Sequence, residues 1–357
     1  MDLSRIFIKN ACPTSIGGQA VMEGVMMKGT DACAVAVRTP EGKIHIRTEP
    51  LPARPRIASI PLLRGVYVFV ESLMQGMKTL MYSADVLQAY GDETVGTEEA
   101  EPDRLTRFLE AKLGARGAWN VMIGFSVALA ILFTVLIFVI GPTALVGVLK
   151  KVTGNEILLN LAEGILRIAL FIGYIAVISR MEDIKRLFRY HGAEHETIHC
   201  FENGLALTPE NCSEFGTLHP RCGTSFLMFV MIIALVLFSL LGWPGLAARV
   251  ISRLLLIPVI AGVSFELLKW AGRSSGPLVK ALSIPGLLLQ KLTTAEPDEG
   301  MLEVAIAALS AVLAEEKDFG EGICDAEGRI LEHRSVAALE NTEDQMTDDQ
   351  NKEGSME

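Results

Sequence analysis

Four long apolar runs constrain this chain more than any other feature. Residues 119–140 form a stretch of 22 residues without a charge. Residues 158–179 are interrupted by Glu163 and Arg167. Residues 225–241 are apolar apart from serines, and 250–268 carry Arg253 near one end and Glu266 near the other. A helix needs about 20 residues to cross a hydrocarbon core of roughly 30 Å. These runs account for a hydrophobic content of 50% and a mean hydropathy of +0.37, which few soluble chains reach. The alternative for each run is a buried helix of a large soluble core. The fold class predicted is mainly α and integral to the membrane. It has about four transmembrane helices, a small N-terminal β-rich cytoplasmic unit and a C-terminal cytoplasmic helix.

Positive residues set the orientation. Arg104, Arg107, Lys112 and Arg116 precede the first run. Arg180, Lys185, Arg186, Arg189 and Arg221 lie between the second and third, and Lys269, Arg273, Lys280 and Lys291 follow the fourth. The two opposite loops hold Lys150 and Lys151, and Arg249 and Arg253. Lys and Arg stay on the cytoplasmic side. Both termini, and the loop between the second and third runs, are therefore expected in the cytoplasm of a multi-pass inner-membrane protein. The first residues lack an apolar core of the length a signal peptide needs. The net charge of -10 comes partly from the tails, and no basic domain is visible, so no nucleic-acid partner is expected. In the cytoplasm the six cysteines, Cys12, Cys33, Cys200, Cys212, Cys222 and Cys324, are not expected to form structural disulfides.

The rest of the chain divides around the runs. Residues 1–56 read as the β-rich unit: 32–38 is a strand pattern, Thr39-Pro40-Glu41-Gly42 a turn, and 43–47 a returning strand. The preceding GGQAVMEGVMMKG reads as a packed turn region in preference to a loop that closes on a site. Residues 57–117 hold amphipathic helices, with Arg64, Glu71 and Lys78 spaced by seven and an acidic break at 92–103. Residues 118–180 form one transmembrane hairpin and 225–270 a second, with a His/Cys-rich loop at 181–224 between them. Residues 271–319 read as an interfacial segment broken by proline and then a helix from 293 to 316, with Thr294 as its cap and Pro297 in its first turn. The acidic region 320–357 reads as disordered. Glu163 and Arg167, four apart, suit an intrahelical pair.

The loop at 181–224 carries the chemistry. Of six histidines in the chain, His191, His195 and His199 lie here, each four residues from the next. On a helix a step of four rotates a side chain by about 40°, so the three form a stripe that Glu202 joins. Imidazoles at i and i+4 can clasp one ion. Glu194 completes His191-Gly192-Ala193-Glu194-His195, an H-x-x-E-H arrangement. In such a site the histidines hold zinc and the glutamate takes a proton from water on the metal. Further donors follow: His219 and Cys222 just before the third run, and Glu266 at the same membrane face. Three alternatives stand beside this one. The stripe is a solvated helix face. Or His191, His195, His219 and Cys222 close a structural site with four protein donors. Or Cys222, at a helix start, is a nucleophile paired with His219.

Six segments in this order resemble the YqhQ-like family of bacterial membrane proteins, a family of unknown function labelled as predicted metal-dependent enzymes. They are IGGQAVMEGVMMKG, PLLRGVYVFVESL, YHGAEHETIHCFENG, HPRCGTSF, SFELLKWAGR and QKLTTAEPDEGMLEVAIAAL. The resemblance covers most of the chain up to about residue 310 and implies an integral membrane protein with a metal-dependent activity. It maps the histidine motif onto His191, Glu194 and His195, and the later motif onto His219, Arg221 and Cys222. One departure is Glu196, where lysine is expected.

The leading expectation is a cytoplasm-facing zinc hydrolase acting on a membrane-proximal peptide or a lipid-linked group, with membrane lipid as its surroundings. His191 and His195 bind a divalent metal, zinc first among the candidates. The third ligand comes from His219, Cys222 or Glu266. Glu194 is the general base, and Arg221 stabilises an oxyanion or phosphate. The rival expectation is a non-enzymatic membrane assembly or interaction protein with a structural metal, and behind it a transporter using Glu163, Arg167 and the histidines.

Overall fold

The computed structural model describes residues 14–53, 55–90, 104–150, 153–242, 245–271, 276–314, 320–324 and 330–335. It is mainly helical, with one antiparallel sheet. The strands are β1 (Gly17–Val21), β2 (Gly24–Lys28), β3 (Ala32–Arg38), β4 (Ile44–Pro50), β5 (Gly320–Cys324) and β6 (Ile330–Ser335), paired in chain order. The β3–β4 hairpin follows the expected turn, where the Thr39 N–H reaches the Lys43 carbonyl at 2.8 Å. The glycine-rich stretch before it is a second hairpin, β1–β2, pairing Gly18 with Met27 and Val21 with Gly24.

Two expectations need correction at the C-terminal end. The region after 320, expected to be disordered, contributes β5 and β6, which pair Ile46 with Gly322 and Gly322 with His333. β5 covers the edge that β4 would otherwise leave with unpaired backbone groups. The last helix begins at Glu299, not 293. Its cap is Asp298, whose carboxylate accepts the Met301 N–H at 3.0 Å. Thr294 instead closes the preceding helix, its N–H bonded to the Gln290 carbonyl at 2.8 Å. The acidic break at 92–103, Cys12 and the acidic end from 341 to 357 lie outside the described residues.

The helices are α1 (Leu63–Tyr90), α2 (Arg104–Val135), α3 (Gly141–Leu149), α4 (Glu156–Ile178), α5 (Glu182–Glu202), α6 (Pro209–Ser213), α7 (Gly223–Ser239), α8 (Leu246–Ala271), α9 (Pro277–Thr293) and α10 (Glu299–Leu313). Among the described residues three helical stretches are long and apolar enough to cross a membrane: Gly124–Leu149, Glu156–Ile178 and Ala247–Ala271. The third expected crossing, residues 225–241, falls on α7, which is apolar but only 17 residues long. The first runs past the Gly141-Pro142 pair where the sequence pattern ends. A π-helical turn at Leu136–Ile140 leads into α3, and Pro142, which lacks an N–H to bond back into the preceding turn, falls where the helix passes through that irregular turn.

The chain forms two compact units. One comprises 1–91, 175–229 and 261–357. In it β2 and β3 are buried on both faces, and the alternation of the strands assigns each side chain. Val25, Met27, Ala34, Ala36 and Ile44 pack with Tyr190, Ala193 and Ile198 of α5 and with Met301, Ala305 and Leu309 of α10. Met26, Cys33, Val35 and Val37 point the other way, onto Val86 of α1. The other unit comprises 92–174 and 230–260. There the expected Glu163–Arg167 pair forms at 2.9 Å, and Arg253 joins it from α8. Thr143 donates to Glu163 at 2.7 Å and accepts from Arg253 at 2.7 Å.

Candidate metal centre

The expected helix at 183–203 is α5, with Glu182 and Asp183 in its first turn, where the helix dipole favours acids. Its second half is buried, so the histidine stripe is an interior face and not a solvated flank. Gly192 explains how the helix gets so close to its neighbour. A Cβ there would lie 2.1 Å from the Ala295 carbonyl oxygen. That approach brings the chain between α9 and α10 against α5, and the Thr293 carbonyl accepts from His191 Nδ1 at 2.7 Å. One turn on, His195 Nδ1 meets the Thr217 carbonyl at 2.5 Å. With Nδ1–H donated to backbone, each ring turns Nε2 the other way, the orientation that metal-binding imidazoles usually have.

Both Nε2 atoms face Cys222, which sits just before α7. His191 Nε2 is 3.1 Å from Cys222 Sγ. His191, His195 and Cys222 each offer a donor atom within 4.8 Å of the others. Donors sharing one tetrahedral zinc at 2.0–2.3 Å lie about 3.5 Å apart, so small adjustments would seat an ion. The chemistry of the set fits too. Sulfur and nitrogen donors suit zinc, and the Thr224 N–H donates to the sulfur at 3.4 Å. Two buried atoms beside this set, His195 Nε2 and Glu194 Oε2, have no hydrogen-bond partner. An orphaned lone pair and an orphaned carboxylate oxygen are what a cation and its water would satisfy.

The charges reinforce one another. Burial opposes ionisation of both His191 and Cys222. Even so, the adjacent Cys222 sulfur holds the His191 imidazolium up to about 9, and His191 and His195 hold the thiol well below its ordinary range. The proton between them is one a cation would displace. Glu194 has its carboxyl pushed up, chiefly by burial, against the pull of His191 and His195. Its side chain lies over Gly18 of β1. A Cβ on Gly18 would fall 2.9 Å from the Glu194 carboxyl carbon, and the Gly18 N–H bonds to that carboxylate. The stretch expected only to pack does touch the motif.

The structure divides the expected ligand set. His219 is not with His191 and Cys222. It groups with His199 and Glu202, their donor atoms within 4.8 Å of one another. The anchor is Gln290 of α9, whose amide accepts from the His219 N–H and donates to the His219 carbonyl, each at 2.8 Å. The pairing of Cys222 with His219 is replaced by Cys222 with His191. Arg221, expected to meet an oxyanion, is ion-paired with Glu202 and lies 3.3 Å from His219 Nε2. Glu202 also accepts from the N–H and hydroxyl of Thr14 at 2.8 and 2.9 Å. Burial opposes the Glu202 charge, but His219, Thr14 and Arg221 outweigh it and hold the carboxyl at about 2. Burial takes His219 down to about 3 and His199 to about 4, so both are neutral. This second cluster is satisfied internally by its arginine.

Among the described residues, Glu266 joins neither group of converging donors. It forms a two-pronged ion pair with Arg64 and accepts from the Leu62 N–H at 3.4 Å. Arg64 comes from a helix 202 residues earlier in the chain, and no local pattern announces it. Glu196 points away from the metal donors toward Glu296, and burial, followed by that neighbouring charge, pushes its carboxyl up to about 8. The residues the sequence pattern missed are Gly18, Thr217, Gln290 and Thr293. Two of them act through backbone carbonyls, which carry no side-chain signal.

A family model described as a protein of unknown function (DUF1385) matches residues 60–315. The uncharacterized protein YqhQ of Bacillus subtilis (strain 168) is 35% identical over 311 residues, spanning 85% of this chain and 94% of that protein. No solved structure matches.

Proposed function

The chain belongs to the DUF1385 family of proteins of unknown function, and from that premise we propose that it is a membrane-embedded, metal-dependent hydrolase. One observation carries this reading. His191 and His195 donate Nδ1 to backbone carbonyls and converge with Cys222, leaving His195 Nε2 and Glu194 Oε2 buried without partners. His191, His195 and Cys222 would hold the ion, most suitably zinc. When bound, a divalent ion supplies Lewis acidity that polarises a carbonyl or phosphoryl oxygen and acidifies water. Glu194 is the proton acceptor. One oxygen is steadied by the Gly18 N–H, and the other is available for a water proton. Thr293 and Thr217 fix the imidazole planes, and Gln290 fixes the segment from which Cys222 projects. Arg221 acts as a positioning residue through Glu202.

Three protein donors favour catalysis over a structural ion, because a closed structural site uses four and His219 is engaged elsewhere. The substrate class we infer is a membrane-proximal peptide or a lipid-linked group, since the motif adjoins apolar helices. The distribution of Lys and Arg supports a cytoplasmic site in a multi-pass membrane protein.

The test is elemental analysis of the purified protein beside its His195→Ala and Glu194→Gln variants. Wild type and Glu194→Gln are expected to carry the metal, and His195→Ala to lose it. Equal metal in wild type and His195→Ala sinks the reading. Catalysis is tested in cells. A membrane peptide or lipid-linked species should accumulate in the Glu194→Gln strain as it does in a deletion strain. If Glu194→Gln behaves as wild type while retaining metal, the ion is structural.

A further inference from the structure

Helix α1 wears its polarity inside out. At about 100° per residue its positions fall into three sectors. Gly65, Gly76, Thr79, Ser83 and Val86 are buried. Gly65 lies against α8, where an added Cβ would be 2.9 Å from the Gly262 Cα, and Gly76 lies against Gln19 of β1. The next sector is charged, and three of its charges turn back onto the protein. Arg64 pairs with Glu266, Glu71 with Lys28 at 3.4 Å, and Lys78 with Glu49 at 2.8 Å. The third sector has no charge at all. Val70, Leu73, Met74 and Met77 there are 47%, 58%, 70% and 50% exposed, with Leu63 and Met81 at 46% and 42% on either side. The usual surface helix buries its apolar stripe and exposes its charges; α1 leaves one apolar stripe exposed and turns most of its charges onto neighbouring elements.

We propose that this stripe lies in the acyl-chain region at the edge of one bilayer leaflet, so that α1 is an interfacial helix whose ligand is lipid. The inference rests on the membrane reading above and is independent of the metal. Three observations favour lipid over a protein partner. First, α1 starts on α8, a helix long and apolar enough to cross a membrane, beside Glu266, which lies five residues before the end of α8 at Ala271. Five residues are about 8 Å of helix, so the start of α1 sits within reach of the bilayer boundary. Second, the stripe from Leu63 to Met81 extends over 19 residues, about 27 Å. An uncharged exposed patch of that length is uncommon on a protein surrounded by water. Third, its side chains are chiefly methionine and leucine, which are flexible and unbranched at Cβ and pack readily against fluid acyl chains. Charge on one flank and apolar residues on the other is the pattern of helices that lie in a membrane interface.

The test places the photoreactive residue p-benzoylphenylalanine, one site at a time, at Met74, Met77, Lys43 and Leu255 of the full chain in vesicles of phosphatidylethanolamine and phosphatidylglycerol. Lys43 is in the exposed β3–β4 turn, and Leu255 is a 73% exposed residue of α8. After irradiation, mass spectrometry identifies the adducts. Phospholipid adducts at Met74 and Met77 are expected at the level of Leu255 and about tenfold above Lys43. Lipid adducts at Leu255 with polypeptide adducts, or none, at Met74 and Met77 overturn the inference and assign the stripe to a protein partner or to water. Absence of lipid adducts at Leu255 as well overturns the membrane reading and the inference with it. All four positions are surface sites, so folding is preserved in each variant.

Discussion

Two thiols of this protein differ in kind, and the difference is testable at single residues. Cys33 is 2% exposed on the α1 face of the sheet, and burial, partly offset by a hydrogen bond from Gln75, pushes its thiol up to about 11. Cys222 faces two imidazoles and is held toward the thiolate. Only the thiolate reacts with an alkylating agent. At pH 8 iodoacetamide is therefore expected to leave Cys33 unmodified in the folded protein. Cys222 should be protected while metal is bound and become alkylated about tenfold faster after chelation, because removing the ion frees the sulfur. Mass spectrometry of the digested protein measures both at once. A Cys222 rate that ignores the chelator would count against metal at that sulfur. Little of this was legible beforehand. Cys222 stands out in the sequence by its place before an apolar helix, but its partner, His191, is 31 residues away, and only the packing of α5 beside the α7 start selects it over His219.

At the scale of elements, close approach sets the geometry. Gly192 lets α5 touch the connection between α9 and α10, and that contact also supplies the carbonyl that orients His191. Gly192→Ala is expected to destabilise the fold by about 2 kcal/mol, as overpacking does, and to weaken metal binding by about tenfold through loss of the outer hydrogen bond. Thermal unfolding and metal titration read these two effects. Gly173→Ala, in α4 with open space around it, serves as the control and should stabilise slightly, by about 0.5–1 kcal/mol, as alanine does in a helix interior. In the second unit Glu163 is hydrogen-bonded or ion-paired to Thr143, Arg167 and Arg253, contributed by three helices. Glu163→Gln leaves two guanidinium groups facing a neutral amide and is expected to cost about 3 kcal/mol. The double change with Arg253→Leu should recover part of that loss in detergent-solubilised protein. A Glu163→Gln melting temperature equal to wild type would mean the cluster does not hold these helices together. The i,i+4 pair was readable from spacing alone; the third member was not, because Arg253 is 90 residues from Glu163 and meets it only when α4 and α8 pack.

For the molecule as a whole, the distribution of Lys and Arg makes a prediction that no packing detail affects. Both termini and the loop at 181–224, between the second and third apolar runs, are expected on the cytoplasmic side. A protease added to inverted membrane vesicles should cleave terminal tags that it leaves intact in right-side-out spheroplasts. Cleavage of either tag from outside intact cells would reverse the assignment. The sheet adds a second whole-chain feature. Strands from residues 17–50 and 320–335 join in one meander, so the two ends of the described chain fold as one layer. Acidity at the C-terminal end suggested disorder, yet Gly320–Cys324 pairs with β4 and Ile330–Ser335 pairs with Gly320–Cys324 in turn.

By itself the sequence determined the features that depend on near neighbours. Runs of apolar residues become helices, a step of four aligns His191, His195 and His199, and Thr39–Gly42 turns a hairpin, because each depends on backbone periodicity within a few residues. Only the tertiary structure decided which of the aligned groups share a centre. It joined Cys222 to His191 and His195, gave His219 to His199 and Glu202, bound Arg221 to Glu202, and took Glu266 away to Arg64. Those choices turn on contacts such as Gly192 with Ala295 and Gln290 with His219, between segments about 70 to 100 residues apart in the chain. Spacing within one helix fixes direction, whereas distance between helices is set by the volumes of the side chains that separate them.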